Sequence, residues 1–361
     1  MTVETNEVEM IDKGAADLAQ RVEDLKALNP GLRARDVAAE LGVSECALLS
    51  IRCGDGVVRL DGDFKALIKG MPAVGRVMVL TRNEHVVHER HGEFGKIGFN
   101  SHVGIVLNET VDLRIFINHW AFGFCVNEVA RSGTRTSLQF FDRAGVAVHK
   151  IYLVDASNRS AFDDLVALFV SEDQLPRVPD VTPYPEKKAD TADEKIDRGA
   201  MLEEWSELKD PHDFRKVLSN HGVGRHQAMR LAEGRFTERA PLSAMSDVLL
   251  LAASRKIPIM VFVANRGCIQ IHTGLVENIK KMGDWLNVLD PDFNLHLRED
   301  RIVDAFIVRK PSDDGTITSL EVYDADNELI VTVFGLRKPG NQELEAWRTL
   351  TAEVAGTMSA A

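Results

Sequence analysis

The chain contains two copies of one sequence. Residues 77–152 align with residues 259–334 at a constant shift of 182 positions and without a gap. The clearest agreement joins residues 136–142 (TSLQFFD) to residues 318–324 (TSLEVYD). A period of this length is far too long for a solenoid repeat. We therefore predict a tandem duplication of one domain, and residues present in only one copy become the first candidates for function.

The composition is that of a soluble globular protein. The chain has 361 residues, enough for two domains, with an apolar fraction of 45% and a charged fraction of 27%. No apolar run approaches the roughly 20 residues of a membrane helix, and the first residues (MTVET) lack a signal-peptide pattern. We therefore expect a cytoplasmic protein without membrane insertion. The net charge of −12 argues against a nucleic-acid partner.

The four cysteines are widely spaced along the chain. They form no zinc-binding pattern, no C-x-x-C pair and no C-x-x-C-H motif. We expect Cys46, Cys53, Cys125 and Cys268 to be free thiols that are mostly buried.

Each copy begins with helical periodicity and continues with short strand-like runs. Helical spacing covers residues 15–50 and 201–255, strand patterns cover 77–153 and 258–335, and a last helix is predicted near 342–356. One predicted strand is Leu113–Ile117, and hairpin turns are predicted at residues 142–145 and 324–327. This order predicts an α+β fold in which each copy has a large antiparallel sheet and flanking helices. The predicted domains are residues 15–172 and 200–358, and residues 173–199, rich in proline and charge, are the linker.

Residues 34–50 have the pattern of a helix-turn-helix, with a tight turn at Gly42-Val43-Ser44. The second helix (ECALLS) offers no Arg, Lys, Asn or Gln that could read base edges. The acidic net charge also disfavours DNA binding. We therefore favour a structural helix pair that belongs to the repeat, and keep a DNA-binding regulator as the remote alternative.

Four histidines are considered for metal binding, a cluster of three and the separate His212. His85, His88 and His91 lie close together, but a strand cannot present all three on one face, so histidines at the surface or in the second shell of a site are favoured over metal ligands. His212 follows Asp210 and Pro211, which are the N-cap and first residue of a predicted helix. There the helix dipole disfavours the charged ring, which suits an iron ligand. The alternative is an ordinary histidine at a helix start.

Basic residues are concentrated in the second copy despite the acidic total. Position 128 of the first copy, which aligns with Lys310, holds a glutamate, so this positive charge is specific to one copy. A group of Arg and Lys side chains suits a ligand that carries carboxylates. The alternative is a set of solvated charges at strand ends. The residues are Arg225, Arg298, Arg301, Arg309, Lys310, Arg337 and Lys338.

The chain resembles the bacterial haemin-degrading and haem-transport factors, the HemS/ChuS/PhuS-type proteins of haem-uptake systems. The resemblance extends from about residue 23 to about residue 350 and includes the duplication. It is carried by residues 82–88 (RNEHVVH), 112–120 (DLRIFINHW), 204–205 (EW), 211–214 (PHDF), 260–268 (MVFVANRGC), 285–287 (WLN), 293–297 (FNLHL), 309–311 (RKP) and 318–321 (TSLE).

This resemblance implies a haem cleft in which both halves take part. His212 matches the proximal ligand of the haem iron, and Arg114 matches a distal arginine. Phe334 stands where the family usually has a tyrosine, so one hydroxyl hydrogen bond near the haem is missing. The remaining matched positions are basic residues near the haem, Lys310, Arg337 and Arg225, and an apolar wall residue, Phe262.

The resemblance supports two functions. The first is binding and degradation of imported haem to release iron, with an external electron donor. The second is a carrier without catalytic activity that delivers haem from an importer to a separate haem oxygenase. The oligomeric state, monomer or dimer, stays open. From its strand alone, Arg114 would be a solvent-facing residue of a half-exposed sheet, and only the resemblance assigns it to the haem.

Overall fold

The structure, a computed structural model, describes residues 3–101, 103–130, 133–337 and 340–356. Lys338 of the predicted basic group and the last residues of the second predicted domain lie outside these ranges. The described residues form two compact units. The first comprises the described residues within 1–81, 91–185 and 265–269, and the second comprises those within 82–90, 186–264 and 270–361. A short segment of each sequence copy thus belongs with the unit formed mainly by the other copy.

The first unit contains a helical start followed by antiparallel strands. The hydrogen-bonded orders are β1-β7-β8-β9-β2 and β4-β5-β6. Strand β3 (Val86–Glu93) begins in residues of the second unit and ends in the first, and β12 (Cys268–Gly274) begins in the first and ends in the second. The other elements are α1 (Val3–Leu28), α2 (Ala34–Leu41), α3 (Glu45–Ser50), β1 (Val57–Leu60), α4 (Phe64–Gly70), β2 (Gly75–Arg82), β4 (Lys96–Phe99), β5 (Gly104–Leu107), β6 (Asp112–Ile115), β7 (Phe122–Ala130), β8 (Gly133–Phe141), β9 (Ala147–Ser157) and α5 (Arg159–Ala167).

The second unit repeats this plan. Its hydrogen-bonded orders are β10-β16-β17-β18-β11 and β3-β15-β14-β13, again antiparallel. Its elements are α6 (Arg198–Ser206), α7 (Phe214–His221), α8 (Arg225–Leu231), β10 (Thr237–Arg239), α9 (Ala244–Arg255), β11 (Ile259–Ala264), β12 (Cys268–Gly274), β13 (Ile279–Met282), β14 (Trp285–Leu289), β15 (Phe293–Arg298), β16 (Asp304–Lys310), β17 (Ile317–Tyr323), β18 (Leu329–Gly335) and α10 (Glu345–Gly356). The predicted α+β class and the tandem duplication are confirmed.

The same hairpin turn recurs in both copies. Oδ1 of Asp142 accepts hydrogen bonds from the backbone N–H groups of Ala144 and Val146, each at 3.0 Å. Oδ1 of Asp324 accepts from the equivalent N–H groups of Asp326 and Glu328, each at 2.9 Å. An aspartate that bonds the backbone two residues further on favours a turn. Both predicted turns are therefore confirmed.

The helix pair α2–α3 is structural. Gly42 ends α2 with φ +67°, and the Ser44 hydroxyl caps α3 by accepting from the N–H of Ala47 at 3.2 Å. In the second copy, Gly222 ends α7 with φ +60° before α8 begins. Residues 46–50 of α3 are all buried, so this helix has no face that could enter a DNA groove. The favoured interpretation as part of the repeat is confirmed.

The two faces of the sheet β10-β16-β17-β18-β11 carry different layers of the second unit. Alternation along the strands directs Ile307, Leu320 and Val333 into a core with α9 and α10. It directs Phe306, Val308 and Tyr323 into a core with α6, α7 and α8. The second face also carries a row of laterally paired residues, which are buried except for the half-buried Phe262 at its end. The row is Phe306, Glu321, Thr332 and Phe262.

Candidate functional site

His212 lies in a short 3-10 turn, Pro211–Asp213, immediately before α7. The carboxylate of Asp210 caps this turn by accepting the backbone N–H of His212 at 2.9 Å. The same oxygen, Oδ1, lies 2.6 Å from Nδ1 of the His212 ring. The imidazole side chain is 87% exposed. The predicted helix start is confirmed, but the sequence did not predict that the capping residue would also hold the ring.

The Asp210–His212 contact determines which ring nitrogen is available. A carboxylate can only accept, so Nδ1 carries the proton and donates it. In the neutral ring this contact selects the tautomer in which Nε2 keeps its lone pair, which is the form in which histidine binds a metal. The high exposure of the side chain leaves this nitrogen accessible from outside the unit.

Arg337 belongs to the same neighbourhood. The pKa of Asp210 lies below its usual range because it accepts the His212 backbone N–H and then the ring hydrogen bond, with a smaller contribution from the charge of Arg337. Nη1 of Arg337 is buried and has no hydrogen-bond partner among the described residues. A buried guanidinium nitrogen without an acceptor is costly. It is therefore a suitable partner for a carboxylate that approaches the His212 turn.

Arg225 and Lys310 both bind Glu321, which lies on β17. Arg225 makes a fork, from Nε to Oε2 at 2.8 Å and from Nη2 to Oε1 at 2.7 Å. Nζ of Lys310 donates to Oε1 at 2.8 Å, and the Tyr323 hydroxyl donates to Oε2 at 2.7 Å. The ring of Phe214, two residues after His212, lies 4.7 Å from the Lys310 amine. The cluster thus reaches the start of α7.

The buried charges of this cluster depend on one another. Burial alone would raise the pKa of Glu321, but the charges of Arg225 and Lys310 reverse this and hold it well below its usual range. Burial lowers the pKa of Lys310, and Arg225 lowers it further, while Glu321 opposes both. The carboxylate therefore stays ionised at neutral pH and stabilises the two cations. Sequence reasoning predicted the two cations and missed Glu321 and Tyr323.

Phe262 and Phe334 form a small apolar patch beside this cluster. Their rings are in edge contact, with centroids 5.1 Å apart, and both side chains are half-buried. Strand pairing sets Phe334 opposite Ser319 and Phe262 opposite Thr332, on the face that also carries Glu321. The structure therefore brings together Phe262, Phe334, Arg225 and Lys310, and Arg337 with His212, all within the second unit.

Arg114 belongs to the first unit, on β6. Its guanidinium binds the carboxylate of Asp112 and donates to the carbonyl of Leu113 at 3.2 Å. Leu113 and Ile115 on the opposite face are fully buried, as the alternation predicted. The predicted extension of this strand to Ile117 is wrong. The strand ends at Ile115 because the chain turns into a 3-10 helix over Ile117–His119.

Two of the three clustered histidines, His85 and His88, have different environments. His85 lies 3.3 Å from a carboxylate oxygen of Asp324. Of the two alternatives, the surface position is excluded for His88, which is fully buried, accepts from the Gln270 amide at 2.7 Å and packs on Phe293. The alternating polar pattern of β3 gave no sign of this burial. Among the described residues, no group of three or more His, Cys, Asp or Glu side chains could hold a metal ion.

The four cysteines are buried and free, as predicted. Burial raises the pKa of Cys125 to about 11 and that of Cys268 to about 12. Burial also raises the pKa of Cys46 and Cys53. A thiol with a raised pKa is a poor nucleophile and metal ligand. These side chains therefore serve packing.

No helix among the described residues is long and apolar enough to cross a membrane.

The family model of the haemin-degrading HemS.ChuX domain matches the chain twice, at residues 42–169 and 222–354. The chain is similar to the hemin transport protein HmuS of Yersinia pestis, with 36% identity over 94% of this chain and 97% of the relative. The hemin transport protein HemS of Yersinia enterocolitica is 37% identical over 90% and 93%.

Solved structures agree with this result. Holo-PhuS, a heme-binding protein from Pseudomonas aeruginosa, superposes with a TM-score of 0.91 and 44% identity over 94% of this chain and 99% of that chain. The heme degrading enzyme ChuS of Escherichia coli O157:H7 superposes with a TM-score of 0.88 and 35% identity over the same shares. The chain therefore belongs to the family of haemin-degrading HemS.ChuX-domain proteins.

Proposed function

We propose that this protein binds haem through His212 and handles it for iron acquisition. The observation that carries the proposal is the pairing of Asp210 with Nδ1 of His212, which leaves Nε2 on an exposed ring. A histidine held in this way by a carboxylate is a typical iron ligand. The matched relatives, named for hemin transport, heme binding or heme degradation, support the same function.

The other groups in the second unit suit the rest of a haem molecule. The unpartnered Nη1 of Arg337 and the cluster of Arg225 and Lys310 supply positive charge for its two propionates. The half-buried Phe262 and Phe334 supply an apolar surface for its ring. Phe334 has no hydroxyl, so this position contributes packing alone.

We assign Arg114 to the distal side of the haem because of the family resemblance. Its guanidinium is held by Asp112, so its orientation is fixed before a ligand binds. In that role it would donate hydrogen bonds to a water molecule or an anion opposite His212. The haem supplies the redox chemistry, and the protein supplies ligation, orientation and charge.

Haem degradation with release of iron is the favoured outcome of this binding, because the matching family model is that of a haemin-degrading domain. The second candidate is a carrier that passes haem from an importer to a separate haem oxygenase. The exposure of His212 favours this candidate, because an accessible ligand can exchange haem with another protein. In both cases we propose that the protein works in the cytoplasm, which fractionation of cells expressing it would test.

An absorption titration with haemin, followed by a reductant in air, tests these functions. We expect a saturable Soret band at one haem per chain. Loss of the band with formation of a bile pigment, in the presence of catalase, identifies an enzyme, and a persistent band identifies a carrier. Catalase is needed because free peroxide destroys haem without help from a protein. If no saturable band forms, haem binding is excluded.

A further inference from the structure

The carboxylate of Glu321 is shared by two cations and two hydroxyls, of which the Ser319 hydroxyl is the more distant donor at 3.5 Å. Arg225, Lys310 and Tyr323 all donate to it, at 2.7 to 2.8 Å. Its side chain is 0% exposed and that of Lys310 is 5% exposed. Arg225 and Lys310 carry two positive charges against one negative charge, so the group holds one net positive charge. A buried net charge is costly unless another group compensates for it.

Arg225 and Lys310 differ in what they can offer to a ligand. Glu321 occupies the Nε–Nη2 edge of the Arg225 guanidinium, so the opposite edge is not used by this carboxylate. The Arg225 side chain is 37% exposed. Lys310 lies behind it, with its amine on Glu321 and 4.7 Å from the centroid of the Phe214 ring. A carboxylate arriving from outside would thus meet Arg225 before Lys310.

We infer that Glu321 is a positioning residue, which holds Arg225 so that this arginine binds the carboxylates of the ligand, and that Lys310 acts only through Glu321. The inference rests on the proposed haem binding. It assigns different roles to Arg225 and Lys310, which the family resemblance gives alike as basic residues near the haem. Arginine has a flexible side chain, and binding to a ligand requires one conformation of it. A partner that fixes this conformation beforehand increases the affinity for the ligand.

The first copy supports a functional origin for the cluster. The gapless alignment puts Glu128, Gln139 and Phe141 where the second copy has Lys310, Glu321 and Tyr323. Gln139 is also buried, and its amide donates to Ser137 at 3.1 Å. The fold therefore accommodates an uncharged residue at this buried strand position. The ionic version is specific to the copy that carries His212.

The test compares binding of haem with binding of haem dimethyl ester, which lacks the carboxylates. The measured quantity is the affinity for haem divided by the affinity for the dimethyl ester, both obtained by Soret titration. A general loss of structure weakens the binding of both ligands and leaves the ratio unchanged. A change in the ratio therefore reports on recognition of the carboxylates. We expect Glu321→Gln and Arg225→Gln each to lower the ratio about tenfold, the effect of losing one charge-assisted hydrogen bond.

Lys310→Met distinguishes the two roles. We expect it to change the ratio less than about threefold, because Glu321 still holds Arg225. A loss as large as that of Arg225→Gln would show that Lys310 meets the carboxylates itself and would overturn the inference. In a double-mutant cycle, Glu321→Gln should have no further effect on the ratio once Arg225 is Gln. Additive losses would show that Glu321 does not act through Arg225.

Gln139→Ala is the matched control, because it alters the equivalent buried strand position of the first copy and should leave the ratio unchanged. If Glu321→Gln does not fold, as judged by circular dichroism, the comparison of Arg225→Gln with Lys310→Met decides. Binding of haem and its ester with equal affinity by the wild type would overturn this inference and leave the proposed function standing. Absence of haem binding would overturn the proposed function itself.

Discussion

Oδ1 of Asp210 accepts hydrogen bonds from both the backbone N–H and the ring Nδ1 of His212, at 2.9 and 2.6 Å. One carboxylate oxygen therefore starts the helical turn and orients the imidazole. Capping requires only a side-chain oxygen, whereas holding the ring also depends on the negative charge of the carboxylate, so substitutions can separate the two functions. The first prediction uses this separation.

We expect Asp210→Ala to weaken haem binding about 10- to 100-fold, the usual effect of losing the partner of a metal-bound histidine. Asp210→Asn should preserve the N-cap, because asparagine caps helices as well as aspartate does. Its neutral amide is a weaker acceptor for the ring, so an intermediate affinity is expected. Soret titrations measure affinity, and thermal unfolding checks the cap. Wild-type affinity in both variants would show that Asp210 does not orient the ligand.

His212→Ala should remove the axial bond, shift the Soret band and weaken haem binding. His221 is the matched control, because its Nε2 is already paired with Glu204 at 2.7 Å and its side chain is mostly buried. His221→Ala should keep the wild-type spectrum. An unchanged spectrum and affinity in His212→Ala would eliminate His212 as the iron ligand.

Arg114→Ala should retain haem through His212 but alter the opposite side of the iron. We expect changed affinities for azide and cyanide and a changed pH dependence of the ferric spectrum. Arg159, an exposed arginine of the same unit that pairs with Asp163, provides the control variant Arg159→Ala. If Arg114→Ala and Arg159→Ala both match the wild type, Arg114 is an ordinary sheet residue.

Glu321→Gln should destabilise the fold by roughly 3–5 kcal/mol at pH 7, because it leaves two cations without their counter-charge. The folded-state pKa of Glu321 lies below its ordinary value of 4.5, so its contribution is present above that pH and is lost as the pH falls further. The stability difference between wild type and variant should therefore be constant above about pH 5.5 and shrink below about pH 4.5. Denaturant unfolding at several pH values measures it, and a constant difference down to pH 3 would be inconsistent with this ion cluster.

The native protein should react slowly with a thiol reagent at pH 8. Burial keeps the thiols protonated, with the pKa of Cys125 raised to about 11 and that of Cys268 to about 12. All four cysteines should react after denaturation. Rapid reaction of a thiol in the native protein would show that one of these side chains is accessible. Serine variants would then identify it.

Local patterns were enough to predict much of the fold. The Asp142 and Asp324 turns, the Gly42 helix end and the alternation at Leu113 and Ile115 each depend on residues within a few positions. His212 could be placed at a helix start for the same reason. The pattern of residues 113–117 predicts a strand that is two residues too long, because an apolar alternating run does not reveal where the chain leaves its partner strand.

The chemistry of the buried polar residues could not be predicted in this way. Glu321 lies in an alternating strand pattern and depends on Arg225, 96 residues away in the sequence. His88 is buried by Phe293 and Gln270, which belong to the other copy. Such partners come together only through the tertiary fold. A gapless repeat indicates that two segments fold alike, and it does not indicate which segment completes which core.

Residues 82–90 belong with the second compact unit, and residues 265–269 belong with the first. Cutting the chain in the linker would yield two fragments, each with a complete sequence repeat and neither with all the residues of a unit. A fragment that starts at residue 186 would lack β3, so the backbone of β15 that pairs with residues 86–90 would become an open edge prone to aggregation. The segment that was duplicated in the gene is therefore not the segment that folds. Each half, produced separately, would lack a segment of its own compact unit.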